Sequence, residues 1–258
     1  MSSVLYEVNS YIAHVTLNRE NSLNAINHSM LQRLQEVILD IRNNHQVRVV
    51  IISGSGDKAF SVGADVKERN VFSDSAALEQ STRFNEILRM LEQLPQPTIA
   101  AMNGYAFGAG LELALACDFR IAVNHTLIGF PETSYGTIPS GGGTQRLPRL
   151  IGEARALEMI LTGRRISTVE ACQFGLILYS VPKSQLDETA IDLANRIICN
   201  APLAVQKAKL AIKSGLQSDF HSGLSLEHKC YEMILPTRDR KEALSAFMHK
   251  RKPVYYGY

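Results

Sequence analysis

The sequence predicts an α/β fold on three observations. Short β-branched runs recur along the chain, apolar stripes at helical spacing lie between them, and from residue 201 onward only helical signals remain. The stripe Leu31, Leu34, Val37, Ile38 and Ile41 marks a first helix. Residues 48–53 (RVVIIS) then read as a buried strand closed by the turn signal Gly54-Ser55-Gly56-Asp57. Phe84, Ile87, Leu88, Leu91 and Leu94 mark a second helix, and residues 97–103 (PTIAAMN) and 119–123 (FRIAV) two further buried strands. This alternation suits a doubly wound sheet or a spiral of strand-strand-helix turns, and periodicity does not choose between them. Beyond residue 150 helical signals crowd together. Ser167 with Glu170 reads as a capping box stopped by Gly175, and Asp239 with Glu242 as a second box ahead of Leu244, Phe247 and Met248.

Composition narrows the classes of function. A chain of 258 residues with 45% hydrophobic and 20% charged residues can bury a large core, and a formal net charge of +2 gives no basic excess for nucleic acid. Cys117, Cys172, Cys199 and Cys230 form no C-x-x-C pair and mostly have apolar neighbours, so they read as buried thiols in a reducing compartment. The N-terminus lacks a basic region followed by an apolar run, and no stretch of about 18 uncharged apolar residues occurs, so the chain reads as cytoplasmic and not membrane-bound. The seven histidines make no metal constellation: His14 reads as strand surface and His125 as loop.

The chemistry concentrates around Glu112. Leu111, Leu113, Ala114, Leu115 and Ala116 surround this carboxylate with apolar side chains, which desolvates it unless it finds donors or takes a proton. Such an environment makes a general acid or base. The segment from Pro97 reads as a strand, a glycine-rich turn and a helix beginning near Ala109, whose first N–H groups have no intrahelical partner and can meet a developing oxyanion. Gly108 and Gly110 permit close approach of a ligand to the backbone. A dinucleotide turn fails because position 113 is leucine where a third glycine is needed. A second junction over residues 58–67 repeats the design, with Ala64 after Gly63, so two turns can supply one N–H each. No G-x-S-x-G elbow occurs, and the run from Gly141 to Arg146 lacks the lysine of a P-loop. On residue types alone, Glu112 also reads as a helix-start cap or ion pair, and Glu132 as a loop carboxylate after Pro131.

Four segments resemble the enoyl-CoA hydratase/isomerase family, the crotonases: Leu23-Asn24-Ala25, residues 60–67, residues 103–118, and residues 129–147 with Gly129-Phe130-Pro131-Glu132 at their head. Residues 247–253 (FMHKRKP) fit the family's end, so the match runs almost the whole chain in order. The resemblance implies a crotonase-like spiral of ββα repeats over residues 1–200, carrying an acyl-CoA site. A helical oligomerisation region over 201–258 is implied to build a homotrimer or a homohexamer. It implies that the N–H groups of Ala64 and Ala109 hold the thioester oxygen, that Glu112 activates a water toward C3, and that Glu132 delivers a proton to C2. Both H and OH then come from that water. Coenzyme A is implied as part of the substrate and no separate cofactor is expected; Leu23, Ala25, Ala64 and Asp65 match backbone contacts to it, with Lys67 nearby, while Phe247 and Lys250 match contacts from a neighbouring subunit.

Several departures from the family pattern matter. Ala109 and Ser140 stand where members often have glycine, and a serine at 140 is strained if its φ is positive. Asn21-Ser22 replaces a lysine that some relatives use on a phosphate. The reading that follows is hydration of a 2-trans-enoyl-CoA, with Phe107, Phe130 and Tyr135 as candidates for shaping the acyl pocket. A Δ3,Δ2-enoyl-CoA isomerase, which needs chiefly Glu132, is the nearest alternative. A hydratase for a branched or dicarboxylic acyl group, the RNA-binding branch of the family, and a silent scaffold are the others.

Overall fold

A computed structural model describes residues 2–258. β1 (Val4–Asn9) and β2 (Ile12–Leu17) pair antiparallel through Ser10 and Tyr11, both at positive φ as a two-residue hairpin requires. α1 (His28–Asn43) follows, its N-terminus capped by the Asn27 side chain, which accepts from the Met30 N–H. The next turn comprises β3 (Val49–Gly54), β4 (Ala59–Ser61), the short α2 (Val66–Arg69) and α3 (Asp74–Glu92). β5 (Thr98–Met102), β6 (Tyr105–Phe107) and α4 (Ala109–Ala116) repeat the order, and so do β7 (Phe119–Val123), β8 (Leu127–Gly129) and α5 (Gly143–Ile151). Then come α6 (Glu153–Leu161), β9 (Arg165–Ser167), α7 (Thr168–Gln173), β10 (Tyr179–Val181) and α8 (Leu186–Ile198). α9 (Pro202–Gly215), α10 (Phe220–Ile234) and α11 (Arg238–Met248) end the chain.

The two arrangements left open by the sequence are now separated. Strands line up in two sheets, β1-β2-β3-β5-β7-β10 and β4-β6-β8-β9: β1 and β2 share the larger one, and the turns β3-β4, β5-β6 and β7-β8 each place their first strand in the larger sheet and their second in the smaller. That is the ββα spiral. β2, β3, β5 and β7 run parallel and are covered on both faces, which explains their near-continuous apolar sequences. Val50 and Ile52 face the main core with α1 and α3, while Val49 and Ile51 face Leu186, Ala190 and Leu193 of α8, as the two-residue strand period dictates. All five residues of each predicted helical stripe are buried.

Two asparagines tie successive turns together where the chain leaves the sheet. Asn103 accepts from the Gly54 N–H at 3.0 Å and donates to the Gly54 and Gly56 carbonyls at 2.9 and 2.8 Å. Asn24, buried and at φ 55°, donates to the Ser55 and Ala59 carbonyls. These bonds hold the loops bearing the site.

At the C-terminal end the helices are as expected, but one cap is not. Thr237 caps α11, accepting from the Arg240 N–H; Asp239 lies inside the first turn, buried, and its carboxylate accepts from the Tyr256 N–H at 2.8 Å and the Gly257 N–H at 2.7 Å. The pattern Asp239-x-x-Glu242 therefore pins the chain end and does not start the helix. α9 and α10 form a hairpin in close contact at Gly215 and Gly223, where a Cβ on Gly223 would lie 3.5 Å from the Gly215 Cα. Lys209 and Lys213 join α9 to the core through Asp118, at 2.7 and 3.2 Å. The thiol reading holds for Cys117 and Cys230, which are buried, and is corrected at Cys199, which is exposed near the end of α8. No described helix is long and apolar enough to cross a membrane.

Replacing Asp239 by Ala leaves two amides without their acceptor. The expected loss is about 1–3 kcal/mol of stability in urea unfolding, with faster hydrogen exchange confined mainly to Tyr256 and Gly257. Unchanged exchange at those two amides would contradict the contact.

Candidate active site

α4 starts directly after β6, and Gly108 makes the turn at φ 50°. Its first turn carries Glu112, 2% exposed. One carboxylate oxygen, Oε1, accepts from the Gly141 N–H at 2.7 Å and from the Gly143 N–H at 2.8 Å. The other, Oε2, lies so near Gly141 that a Cβ there would be only 2.5 Å away. The loop supplying these amides is itself fastened: Arg146 donates to the Gly141 carbonyl at 2.8 Å and pairs with Glu92 at 3.0 Å, and Asn85 donates to the Ser140 carbonyl. Burial pushes the Glu112 carboxyl above its ordinary range, against the pull of the two amides.

Glu132 follows β8 and Pro131 and opens a 3-10 turn over Glu132–Tyr135. Its Oε1 abuts Gly108, where a Cβ would come within 2.7 Å, and its Oε2 is buried without a hydrogen-bond partner. Desolvation, reinforced by the charge of Glu112, pushes this carboxyl up to about 7. A cavity of about 390 Å³ is lined by both glutamates together with Ala64, Ala109 and Ser140.

The two strand-to-helix junctions meet at this cavity. Gly63, at φ 99°, approaches the second junction so closely that a Cβ would sit 2.8 Å from the Phe107 carbonyl oxygen and 3.3 Å from the Ala109 nitrogen. Neither the Ala64 nor the Ala109 N–H donates to another group among the described residues. Two unpaired donors therefore share a wall with two desolvated carboxylates, the arrangement that acyl-group chemistry through an oxyanion needs. A larger cavity, about 760 Å³, lies between α3 and α9, but its lining of Glu86, Arg89, Lys207 and Lys213 includes none of the predicted site residues. Chemistry, not size, selects the smaller one.

The remaining predicted residues are placed unevenly. Ile26 bridges Ala64, with its N–H donating to the Gly63 carbonyl at 2.7 Å and its carbonyl accepting from the Asp65 N–H at 2.9 Å, so the Leu23–Ala25 segment runs beside the junction. The Leu23 carbonyl accepts from Val62, and the Ala25 carbonyl from Arg19, so both also hold the loop. Asp65 caps α2 and pairs with Arg19 at 2.8 Å, while Lys67 projects from α2 into solvent. Phe247 and Lys250 do not line the cavity and are exposed. Ser140 is not among the residues at positive φ, so the strain considered for it is absent. Of the three aromatics proposed for the pocket only Tyr135 lines it: Phe130 is buried against Gly143, and Phe107 stacks on Tyr105 under Arg165. Sequence reasoning missed Gly141 and Gly143 as donors, and Phe84 and Arg69 as cavity walls. The glycine run at 141–143 was the available signal, set aside because it lacked a P-loop lysine.

Comparison with known proteins shows the family. The family model for enoyl-CoA hydratase/isomerase matches residues 7–257. YngF of Bacillus subtilis is 47% identical over 99% of this chain and 98% of its own length, and the short-chain-enoyl-CoA hydratase of Clostridium acetobutylicum is 40% identical over 98% and 97%. The crystal structure of an enoyl-CoA hydratase from Bacillus anthracis superposes with a TM-score of 0.97 at 45% identity, covering 99% of this chain and 100% of that one. This chain belongs to the enoyl-CoA hydratase/isomerase family and has the crotonase fold.

The raised Glu132 carboxyl has a consequence for stability. The folded protein keeps this proton up to about pH 7, whereas the unfolded chain releases it near the ordinary 4.5. Between those values the unfolded state binds fewer protons, so the Glu132 contribution falls as pH rises. The Tm of wild type minus that of Glu132→Gln is expected to decline across this window and level off above it; a difference independent of pH contradicts the burial argument.

Proposed function

We propose that this protein is an enoyl-CoA hydratase that adds water across the C2–C3 double bond of a 2-trans-enoyl-CoA to give the 3-hydroxyacyl-CoA. One observation carries the reading: Glu112 and Glu132 converge on the cavity where the Ala64 and Ala109 amides lack acceptors. A thioester oxygen accepting from those amides draws electron density from C3, and the negative charge that develops on attack meets donors already in place. Glu112 takes a proton from the attacking water while Glu132 delivers one to C2. The carboxylate pair thus ends with the proton count it began with, and the net addition is one water.

The environments of the two acids support this division. Glu112 is held by Gly141 and Gly143, which favour its ionised form, while Glu132 lacks a partner at Oε2 and holds its proton to about pH 7. An isomerase needs chiefly the second acid, and it leaves the fastening of Glu112 without a use. The coenzyme is proposed to run along Leu23, Ala25, Ala64 and Asp65 past Lys67. Phe247 and Lys250 are proposed to contribute from another subunit of a trimer or hexamer. Exposed Leu210, Ile212, Leu216, Phe220 and Leu224 on α9 and α10, with Phe247 and Met248 on α11, supply apolar surface for such an assembly. Four free cysteines agree with a cytoplasmic setting.

Hydration of crotonyl-CoA, followed by loss of the conjugated thioester absorbance, tests the assignment. Glu112→Gln and Glu132→Gln are each expected to lower kcat by about 10²–10⁴, since each removes a positioned acid or base. Full activity in Glu112→Gln would sink the hydratase reading and favour proton transfer by Glu132 alone, which conversion of a 3-enoyl-CoA to its 2-enoyl isomer would then reveal.

A further inference from the structure

Gly141, Gly142 and Gly143 have no side chains to fix them, yet their backbone presents two N–H groups to one oxygen of Glu112. Three consecutive glycines leave that backbone with great conformational freedom. Stiffening it from within is blocked. A Cβ on Gly141 would lie 2.5 Å from both Glu112 Oε2 and the Phe84 ring, one on Gly142, at φ 89°, would strike the Arg146 guanidinium, and one on Gly143 would lie 2.8 Å from the Phe130 ring. The run is therefore held from outside, through its carbonyls.

Each of its peptide planes has a bonded carbonyl. The Gly142 carbonyl accepts from the Gln145 and Arg146 N–H groups at 3.0 and 2.8 Å as α5 begins, and the Gly141 carbonyl accepts from the Arg146 guanidinium. The Ser140 carbonyl has one donor among the described residues, the side-chain amide of Asn85 on α3. Because a peptide is planar, that carbonyl and the Gly141 N–H that reaches Glu112 turn as one unit. Asn85 thus acts through peptide 140–141, without bonding to Glu112 or lining the cavity. Two turns further along α3, Glu92 pairs with Arg146 at 3.0 Å, so the same helix also fastens the second plane.

We infer that Asn85 is a positioning residue: by gripping the Ser140 carbonyl it aims the Gly141 amide at Glu112 and keeps that acid in its ionised form. Its effect on rate rests on the hydratase reading, in which Glu112 must be ionised to take a proton from water; its effect on Glu112 itself stands without that reading.

Asn85→Leu tests this by exchanging a neutral donor for a neutral side chain of similar size. The charged groups around Glu112, namely Glu132 across the cavity, Arg146 with its partner Glu92, and Arg69, are unchanged in this variant. Infrared spectra across a pH series follow the carbonyl band of the protonated Glu112 carboxyl, identified as the band missing from Glu112→Gln. In Asn85→Leu its titration is expected to move to higher pH than in wild type, since a carboxylate that loses a donor holds its proton more tightly. Asn85→Gln, which keeps an amide, should recover part of the shift, and Asn85→Ala should repeat the Asn85→Leu result with a side chain too small to disturb the packing. With crotonyl-CoA, kcat of Asn85→Leu should fall about tenfold or more, as for loss of one hydrogen bond to a charged group, with the acid limb of its pH profile moved upward and KM little changed. A Glu112 titration identical in wild type, Asn85→Leu and Asn85→Ala overturns the inference even if stability or kcat falls, because Asn85 would then be a packing contact alone. A shifted titration in the variants of a protein that hydrates no 2-trans-enoyl-CoA keeps the role of Asn85 and refutes the hydratase assignment.

Discussion

Main-chain amides without main-chain acceptors organise this site. Gly141 and Gly143 spend theirs on Glu112, fixing one oxygen of a buried carboxylate that apolar neighbours would otherwise leave unsupported. Ala64 and Ala109 keep theirs open toward the same cavity. The first pair positions a protein anion, and the second is free for the substrate oxyanion in the function proposed above. Because backbone donors are held by the fold, neither pair has to reorganise when charge appears.

The spiral makes this convergence possible. The β3-β4 and β5-β6 turns each end in the small sheet and lead into a helix, and the β4 and β6 junctions lie side by side because those strands pair in parallel. Glycine is needed where the junctions touch: a side chain on Gly63 would strike the Phe107 carbonyl, and one on Gly110 would fall 2.2 Å from the Ser61 carbonyl oxygen. Asn24 and Asn103 then lock the preceding loops to each other through backbone carbonyls. Stability and function share these contacts, since loosening them would move the amides before it exposed much core.

Much of this was legible in the sequence, for identifiable reasons. Strands β3, β5 and β7 are buried on both faces and so read as unbroken apolar runs, and α1 and α3 each have one buried stripe at helical spacing. Glu112 stood out because an acid among leucines and alanines has few innocent explanations. The second strands were harder: β4, β6 and β8 have three residues each, too short for periodicity. Asp239 misled because a carboxylate three residues before a glutamate fits a cap, while its partners, Tyr256 and Gly257, lie at a distance no local pattern encodes. Phe107 and Phe130 suggest the pocket by their closeness in sequence to Gly108 and Glu132, although neither lines it: Phe107 packs with Tyr105 and Arg165, and Phe130 against Gly143.

The claim that Ala64 and Ala109 form a preorganised oxyanion site is tested most directly by the carbonyl stretch of a bound thioester. An acyl-CoA carrying carbon-13 at C1 allows isotope-edited infrared difference spectra to isolate that one bond. Two short hydrogen bonds in a water-poor cavity should shift it to lower frequency than in aqueous solution and narrow the band. A frequency and width equal to those of the free thioester in water would contradict the account.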